Sequence, residues 1–156
     1  HGSAAGIGST LALACDFLVM SQKSRLSFVF SNIGLIPDGG AHWSLSQKLS
    51  YNKALEIIIN GEHLSASDCE KLGLANKIFE ENNFFSEVEN WVQNLAKRSP
   101  LVSRESKHLL RFSQNNDYWT TYNKEKETQA RLAKTKDFKN AVKAFFNKEK
   151  PKFVGK

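Results

Sequence analysis

The sequence predicts an α/β domain over residues 1–80, followed by a helical module over residues 81–156. Up to about residue 80, short apolar runs of strand length alternate with helix-capable segments and glycine turns. From Asn82 onward, apolar residues recur with helical spacing throughout. A length of 156 residues with 40% apolar content is typical of a globular chain that can bury a sizeable core.

The elements of the first part follow from apolar runs bounded by turn residues. Short apolar runs predict buried strands at 17–20, 26–30 and 74–79. Helical spacing predicts four helices: the first ends at about residue 14, and the others cover 43–49, 55–60 and 65–73. Ser3 or Ser9 is the candidate cap of the first helix, because hydroxyl oxygens accept from free N–H groups at a helix start.

In the second part, every segment is helical by the same test. Apolar stripes and two prolines predict helices at 84–95, 101–113, 118–134 and 137–148. The helix at 118–134 is almost entirely polar after Tyr122, which favours a position across a subunit boundary.

The charge of the chain is concentrated at its C-terminal end. The net charge is +6, and residues 97–156 carry 16 Lys and Arg against 6 Asp and Glu. This excess could serve nucleic acid, a membrane surface or a phosphorylated small ligand, or it could be the solvated face of lysine-rich helices. No nucleic-acid motif is present and no apolar run reaches the length of a membrane span. We therefore expect neither a nucleic-acid nor a membrane partner.

The two cysteines indicate neither a metal site nor a disulfide framework. Cys15 and Cys69 lack metal-ligand spacing, so no metal is expected and both are interpreted as small buried apolar residues. Reduced thiols suit a cytoplasmic protein.

Two glycine-rich loops carry the candidate chemistry. The first, His1-Gly-Ser-Ala-Ala-Gly-Ile-Gly8, precedes a helix and could bring bare N–H groups to a negatively charged atom; its alternative role is close helix–strand packing. The second, Ile33-Gly-Leu-Ile-Pro-Asp38-Gly-Gly40, holds a single carboxylate. Asp38 could move a proton, or it could cap the following helix or form a Pro-Asp-Gly turn. The candidate apolar walls around it are Phe28, Phe30, Ile33 and Ile36.

These loops resemble the signature of the crotonase superfamily, the enoyl-CoA hydratases and isomerases. The resemblance covers residues 1–16 and 34–40 and continues through 54–56, 61–66, 73–77 and the closing stretch 144–153. It implies a crotonase-like ββα spiral fold followed by a helical trimerisation module. It also implies that this chain is the C-terminal portion of a longer polypeptide. The portion upstream would supply half of the coenzyme A site, so the fragment alone is expected to be inactive.

The resemblance assigns the glycine turn to an oxyanion hole. The N–H of Ile7 would bond the thioester oxygen, with Gly6 and Gly8 supporting the turn, and the first donor would lie upstream. Ile7 departs from the usual glycine, but this chemistry needs only the N–H. A thioester carbonyl gains negative charge when the neighbouring carbon loses a proton, and fixed donors stabilise that charge.

The resemblance also distinguishes between reactions. Hydratases of the superfamily use two glutamates, and the matching positions here are Thr10 and Phe30, which cannot do that proton chemistry. Asp38 matches the catalytic acid of isomerase branches, closest to the ring-cleavage isomerases of phenylacetate degradation. The implied activity is an isomerase that shifts a double bond of an acyl-CoA, with Phe30 and Ile33 lining the substrate pocket. No cofactor is expected, since coenzyme A is part of the substrate.

The last helix resembles the family's coenzyme A contact from a neighbouring subunit. Phe145 and Lys148 fit that place, in a homotrimer or a dimer of trimers, and a cation would suit the phosphates. The alternative puts Phe145 in the core and Lys148 in solvent. Two other functions remain open: a weak hydratase, and an inactive acyl-CoA-binding or scaffold protein.

Overall fold

The computed structural model describes all 156 residues, which form two compact units. The first unit comprises His1–Glu89 and the second Asn90–Lys156. The first unit ends inside the helix that begins at Phe84, nine residues beyond the boundary at residue 80 that the sequence predicts. The start of this helix belongs to the first unit because Phe84 is buried and stacks against His1.

The first unit contains both strands and helices, and the second contains helices alone. The first unit contains β1 (Ser3–Ala5), α1 (Ile7–Ala14), β2 (Val19–Ser21), β3 (Arg25–Ser27), α2 (Ala41–Ser46), α3 (Tyr51–Asn60), β4 (His63–Ser65), α4 (Ala66–Lys71) and β5 (Lys77–Phe79), with 3-10 turns at Val29–Ile33 and Glu81–Asn83. The boundary helix is α5 (Phe84–Ala96), and the second unit continues with α6 (Pro100–Ser113), α7 (Tyr118–Leu132) and α8 (Lys136–Phe146). None of these helices combines the length and apolarity needed to cross a membrane.

Strand β3 is the centre of a three-stranded sheet. It pairs in parallel with β1, with Ala5 opposite Ser27, and antiparallel with β4, with Leu64 opposite Leu26. Strands β2 and β5 form a second, parallel pair. Because β1 and β3 run in parallel, their carboxyl ends lie at one edge of the sheet, where Gly6 follows β1 and the 3-10 turn that leads to the second loop follows β3.

The core of the first unit lies between the sheet and the helices. Its fully buried side chains, at most 1% exposed, include Leu26, Phe28, Leu45, Ile57 and Leu74. Cys69 joins them, and burial raises the pKa of its thiol to about 11, so it behaves as a small apolar residue. Cys15 is exposed, which corrects the expectation that both cysteines are buried.

An ion-pair bridge connects α6 and α7 in the second unit. The Glu105 carboxylate accepts from Arg131 of α7 at 2.9 Å and from Arg104 of its own helix at 2.9 Å. The hydrogen bond from Arg131, followed by that from Arg104, lowers the pKa of Glu105 to about 2. The carboxylate is therefore ionised at any physiological pH.

Asp137, in the first turn of α8, connects three segments of the second unit. Its side chain is buried (3% of the residue is exposed) and accepts hydrogen bonds from the Val154 N–H at 2.7 Å and the Ser99 hydroxyl at 2.8 Å. The Gly155 N–H also donates to it at 3.2 Å. One carboxylate thus ties the C-terminal segment to the starts of α8 and α6.

We expect Asp137→Asn to lower the melting temperature of the second unit by several degrees near neutral pH. The hydrogen bond from the Val154 N–H is the largest cause of the lowered pKa of Asp137. A carboxylate whose pKa is lowered by folding stabilises the folded state in full above the ordinary aspartate pKa of about 3.9. The effect is lost as the pH falls through the lowered pKa of the folded state. Thermal unfolding at several pH values checks this, with the exposed carboxylate variant Glu149→Gln as control. Equal melting temperatures near neutral pH would contradict it.

Candidate active site

The glycine turn reverses the chain from β1 into α1 at a single residue. Gly6 has φ +55°, which a residue without a Cβ adopts freely, and it occupies the N-cap position of α1. Its N–H donates to the Ser27 carbonyl at 2.9 Å, and its own carbonyl accepts from the Ser9 N–H at 3.0 Å. The turn is thereby fixed to β3 on one side and to α1 on the other.

Two donors at the start of α1 are left available by this turn. The N–H groups of Ile7 and Gly8 have no acceptor within the fold, because both lie in the first turn of the helix. The positive end of the helix dipole lies at the same place. A ligand oxygen with developing negative charge would find both a donor and a favourable field there.

The Ser9 hydroxyl holds the glycine turn in place and does not cap the helix. The hydroxyl oxygen accepts a hydrogen bond from the Ser27 N–H at 2.9 Å. The hydroxyl itself donates to the Ala4 carbonyl at 2.6 Å. Ser9 is fully buried. The predicted cap at Ser3 or Ser9 is therefore wrong: the cap residue is Gly6, without a side-chain hydrogen bond. No local pattern signals this role of Ser9, because its partners are on two strands.

The second loop presents Asp38 with a free carboxylate. Pro37 is buried, whereas Asp38 is exposed and its side chain makes no hydrogen bond. The Asp38 carbonyl accepts from the Ala41 N–H at 3.2 Å, which closes a turn through the backbone alone. Because the N-cap of α2 is Gly40, the structure excludes the helix-cap role for Asp38.

The two loops meet at Gly39. A Cβ built on this glycine would lie 2.5 Å from Cδ1 of Ile7 and 3.2 Å from Cγ2 of Thr10. The turn that carries Asp38 is therefore packed directly on the first turn of α1. The structure brings together the two segments that the sequence analysis assigned to one site, although they are some 30 residues apart.

The two positions that match the hydratase glutamates also lie at this junction. Thr10 is fully buried beneath Gly39, and its hydroxyl has no hydrogen-bond partner. The half-buried Phe30 ring lies beside the glycine turn, since a Cβ on Gly6 would be 3.7 Å from its Cζ. Neither residue brings a second carboxylate to Asp38.

The expected apolar wall around Asp38 does not form within this chain. Ile33 and Ile36 are 73% and 75% exposed, and Phe28 is wholly inside the core. Phe30 is the one candidate wall residue with its ring at the glycine turn. A pocket role for Ile33 stays a prediction that requires a further surface to cover it.

The two predicted coenzyme A contacts lie at the end of α8, in the second unit. Phe145 is 79% exposed, which excludes the alternative that places it in the core. Lys148 has φ +56°, a left-handed conformation that disfavours side chains with a Cβ. Its N–H donates to the Phe145 carbonyl at 3.2 Å, and the Glu149 N–H donates to the Ala144 carbonyl at 2.8 Å. This is the Schellman arrangement, with lysine where glycine is usual.

The site contains no candidate metal centre. No group of three or more His, Cys, Asp or Glu side chains lies close enough to hold a metal ion anywhere in the chain. The polar groups that the two loops bring to the junction include backbone donors and the Asp38 carboxylate.

The architecture of this chain matches that of solved enzymes. A solved structure of an enoyl-CoA hydratase from Polaromonas sp. JS666 superposes with a TM-score of 0.94 at 32% identity, over 99% of this chain and 60% of that chain. The structure therefore has the crotonase-like α/β fold that the resemblance implies.

A family model described as "Enoyl-CoA hydratase/isomerase" matches residues 1–156. The chain belongs to the enoyl-CoA hydratase/isomerase family. It is 31% identical to trans-2-decenoyl-[acyl-carrier-protein] isomerase of Streptococcus mutans, over 99% of this chain and 59% of that protein. It is 27% identical to 1,2-epoxyphenylacetyl-CoA isomerase of Escherichia coli, over 100% of this chain and 60% of that protein. The chain thus spans about 60% of the length of the curated relatives it matches.

Proposed function

We propose that the full-length polypeptide carrying this chain shifts a double bond in an acyl-CoA through a thioester enolate. The observation that supports this most is the contact of the Asp38 turn with the first turn of α1, which brings the loop that carries the carboxylate against the helix start where the Ile7 N–H has no acceptor. The names of two relatives, an acyl-carrier-protein isomerase and a CoA isomerase, agree with the reaction type.

In the proposed reaction, the Asp38 carboxylate removes a proton from the carbon next to the thioester carbonyl. The electron pair moves onto the thioester oxygen, where the Ile7 N–H donates to the negative charge. When the enolate collapses, the same proton returns from Asp38 to a carbon further along the chain, and the double bond changes place. No water is consumed, so a single carboxylate is sufficient.

Hydration is the second reaction to test, because the solved structures that this chain resembles include an enoyl-CoA hydratase. It needs a group to activate water besides the acid that protonates carbon. Thr10 and Phe30 supply no carboxylate, so we expect little hydration. Incubation with 3-enoyl and 2-enoyl thioesters, followed by chromatography, separates the outcomes. A shifted double bond supports isomerisation, a hydroxyacyl product supports hydration, and binding without either supports an inactive acyl-CoA-binding protein.

We further propose that Lys148 contacts the phosphates of coenzyme A bound to a neighbouring subunit of a homotrimer or a dimer of trimers. Its strained backbone supports a role beyond helix capping, because glycine would terminate α8 at lower cost. Phe145, exposed in the last turn of the same helix, would contact the same ligand.

We expect Lys148→Gly to raise the free energy of unfolding by about 1 kcal/mol, since glycine reaches positive φ without the Cβ clash. The same variant should weaken coenzyme A binding. Denaturant titration and calorimetry check the two effects, and Lys148→Arg is the control that keeps both charge and strain. Unchanged affinity in Lys148→Gly would refute the coenzyme A contact.

A further inference from the structure

We propose that the side chain of Ile7, separately from its N–H, is a positioning residue for Asp38. Together with the methyl group of Thr10 it forms a surface, here called the seat, on which Gly39 rests. This inference rests on the proposed function, because positioning has meaning only if Asp38 moves a proton.

The distances show that a residue larger than glycine at position 39 would displace the end of the Ile7 side chain. The Cβ of an alanine at position 39 would be 2.5 Å from Cδ1 of Ile7, closer than real Cβ atoms approach other atoms. Gly39 also has φ +62°, so its backbone is in a conformation that favours glycine. Asp38 is the adjacent residue, and trans peptide geometry fixes the spacing of neighbouring Cα atoms at about 3.8 Å. A displacement of Gly39 therefore displaces Asp38.

Burial alone does not explain the residues of the seat. Ile7 is 48% exposed, so only about half of the benefit of burying an isoleucine is realised in this chain. Thr10 is fully buried, yet its hydroxyl has no partner, which is a cost. Each of the two side chains places a methyl group under Gly39.

The seat couples the two halves of the proposed mechanism through one residue. The N–H of Ile7 fixes the thioester oxygen, while its Cδ1 fixes the turn that carries the proton acceptor. The distance between the enolate oxygen and the carboxylate is then set through the main chain and the side chain of a single residue. Misplacement of a reacting group by about 1 Å can cost on the order of 100-fold in rate.

The first test shortens the side chain and leaves the N–H in place. In the full-length polypeptide, we expect Ile7→Val to lower kcat by about 10-fold and Ile7→Ala by about 100-fold, with KM for the acyl-CoA unchanged within about twofold. Ile59→Val is the matched control, because it removes the same carbon from an isoleucine that is also exposed, on α3. Wild-type kcat in Ile7→Ala would overturn the positioning role.

The second test enlarges Gly39 and then restores the space. Gly39→Ala should lose both activity and melting temperature, and adding Ile7→Val should recover part of both, although Ile7→Val alone is harmful. A recovery of this sign requires direct steric contact. Strictly additive losses would overturn the seat.

The two readouts distinguish this inference from the proposed function. If the wild-type protein shifts no double bond, the proposed function fails and the positioning role fails with it. If the wild type is active and Asp38→Asn is inactive, but both Ile7 variants turn over normally, only the positioning role fails.

Discussion

Replacing Asp38 with asparagine is expected to lower the isomerase kcat by a factor of about 100 to 10,000, the range that a positioned acid–base group contributes. Asparagine keeps the size of the side chain and loses the carboxylate that accepts the proton. Because Asp38 is exposed and its side chain makes no hydrogen bond, this substitution should not change the stability of the fold. The rate of double-bond shift in a 3-enoyl-CoA, followed by absorbance, gives the measurement.

The controls for this variant separate chemistry from folding. Melting temperature and coenzyme A affinity should stay at wild-type values in Asp38→Asn. Glu70→Gln, on the exposed side of α4, removes a carboxylate of the same charge and should leave kcat unchanged. Unchanged turnover in Asp38→Asn would remove this residue from the mechanism.

Removing the Ile7 N–H is expected to lower kcat by about 100- to 1,000-fold, which is typical for the loss of one oxyanion-hole donor. Ile7→Pro does this with little disturbance, because Ile7 is the first residue of α1 and proline is favoured at that position. Its N–H makes no hydrogen bond in the fold, so the fold loses no hydrogen bond, but the contact of Cδ1 with Gly39 is lost together with the N–H.

Two variants isolate the donor in that experiment. Ile7→Ala loses the same contact with Gly39 but keeps the N–H, and it should be much more active than Ile7→Pro. Tyr51→Pro places a proline at the same position of α3, where Ser50 is the cap, and should leave kcat unchanged. Equal activity of Ile7→Pro and Ile7→Ala would show that the thioester oxygen does not depend on this donor.

Local signals in the sequence were sufficient for the helices and for the site segments. The glycine turn before α1, Gly61 after α3 and the Ser65–Asp68 capping box at α4 are confirmed, because each depends on neighbours within four residues. The Schellman end of α8 with lysine at the left-handed position was not foreseen, since the pattern there offers no glycine.

The strands were less predictable, because tertiary contacts decide where they end. The predicted strand at 26–30 is replaced by β3, which ends at Ser27, and a 3-10 turn from Val29. The Phe28 N–H still donates to the Glu62 carbonyl at 3.0 Å, in register with the β3–β4 pairing, but the backbone of Phe28 (φ −94°, ψ 51°) turns the chain out of the strand. Strand β4 was missed because three residues between a helix end and a helix cap are too few to show a period.

The residues of the site could be predicted from the sequence, but the contact between its two loops could not. The sequence identified Ile7 and Asp38, and the structure brings their turns into contact through Gly39. The seat itself could not be predicted, because a close approach between segments some 30 residues apart has no local signature. The pair of glycines after Asp38 is the one sequence feature that hints at such an approach.

A structure of the full-length protein with a bound, non-reactive acyl-CoA analogue tests the central claim most directly. The account predicts that the carbonyl oxygen of the analogue lies about 3 Å from the Ile7 nitrogen and that an Asp38 oxygen lies about 3–3.5 Å from the acyl carbons. An analogue bound away from this junction, or with a different carboxylate beside its acyl carbons, would contradict the account.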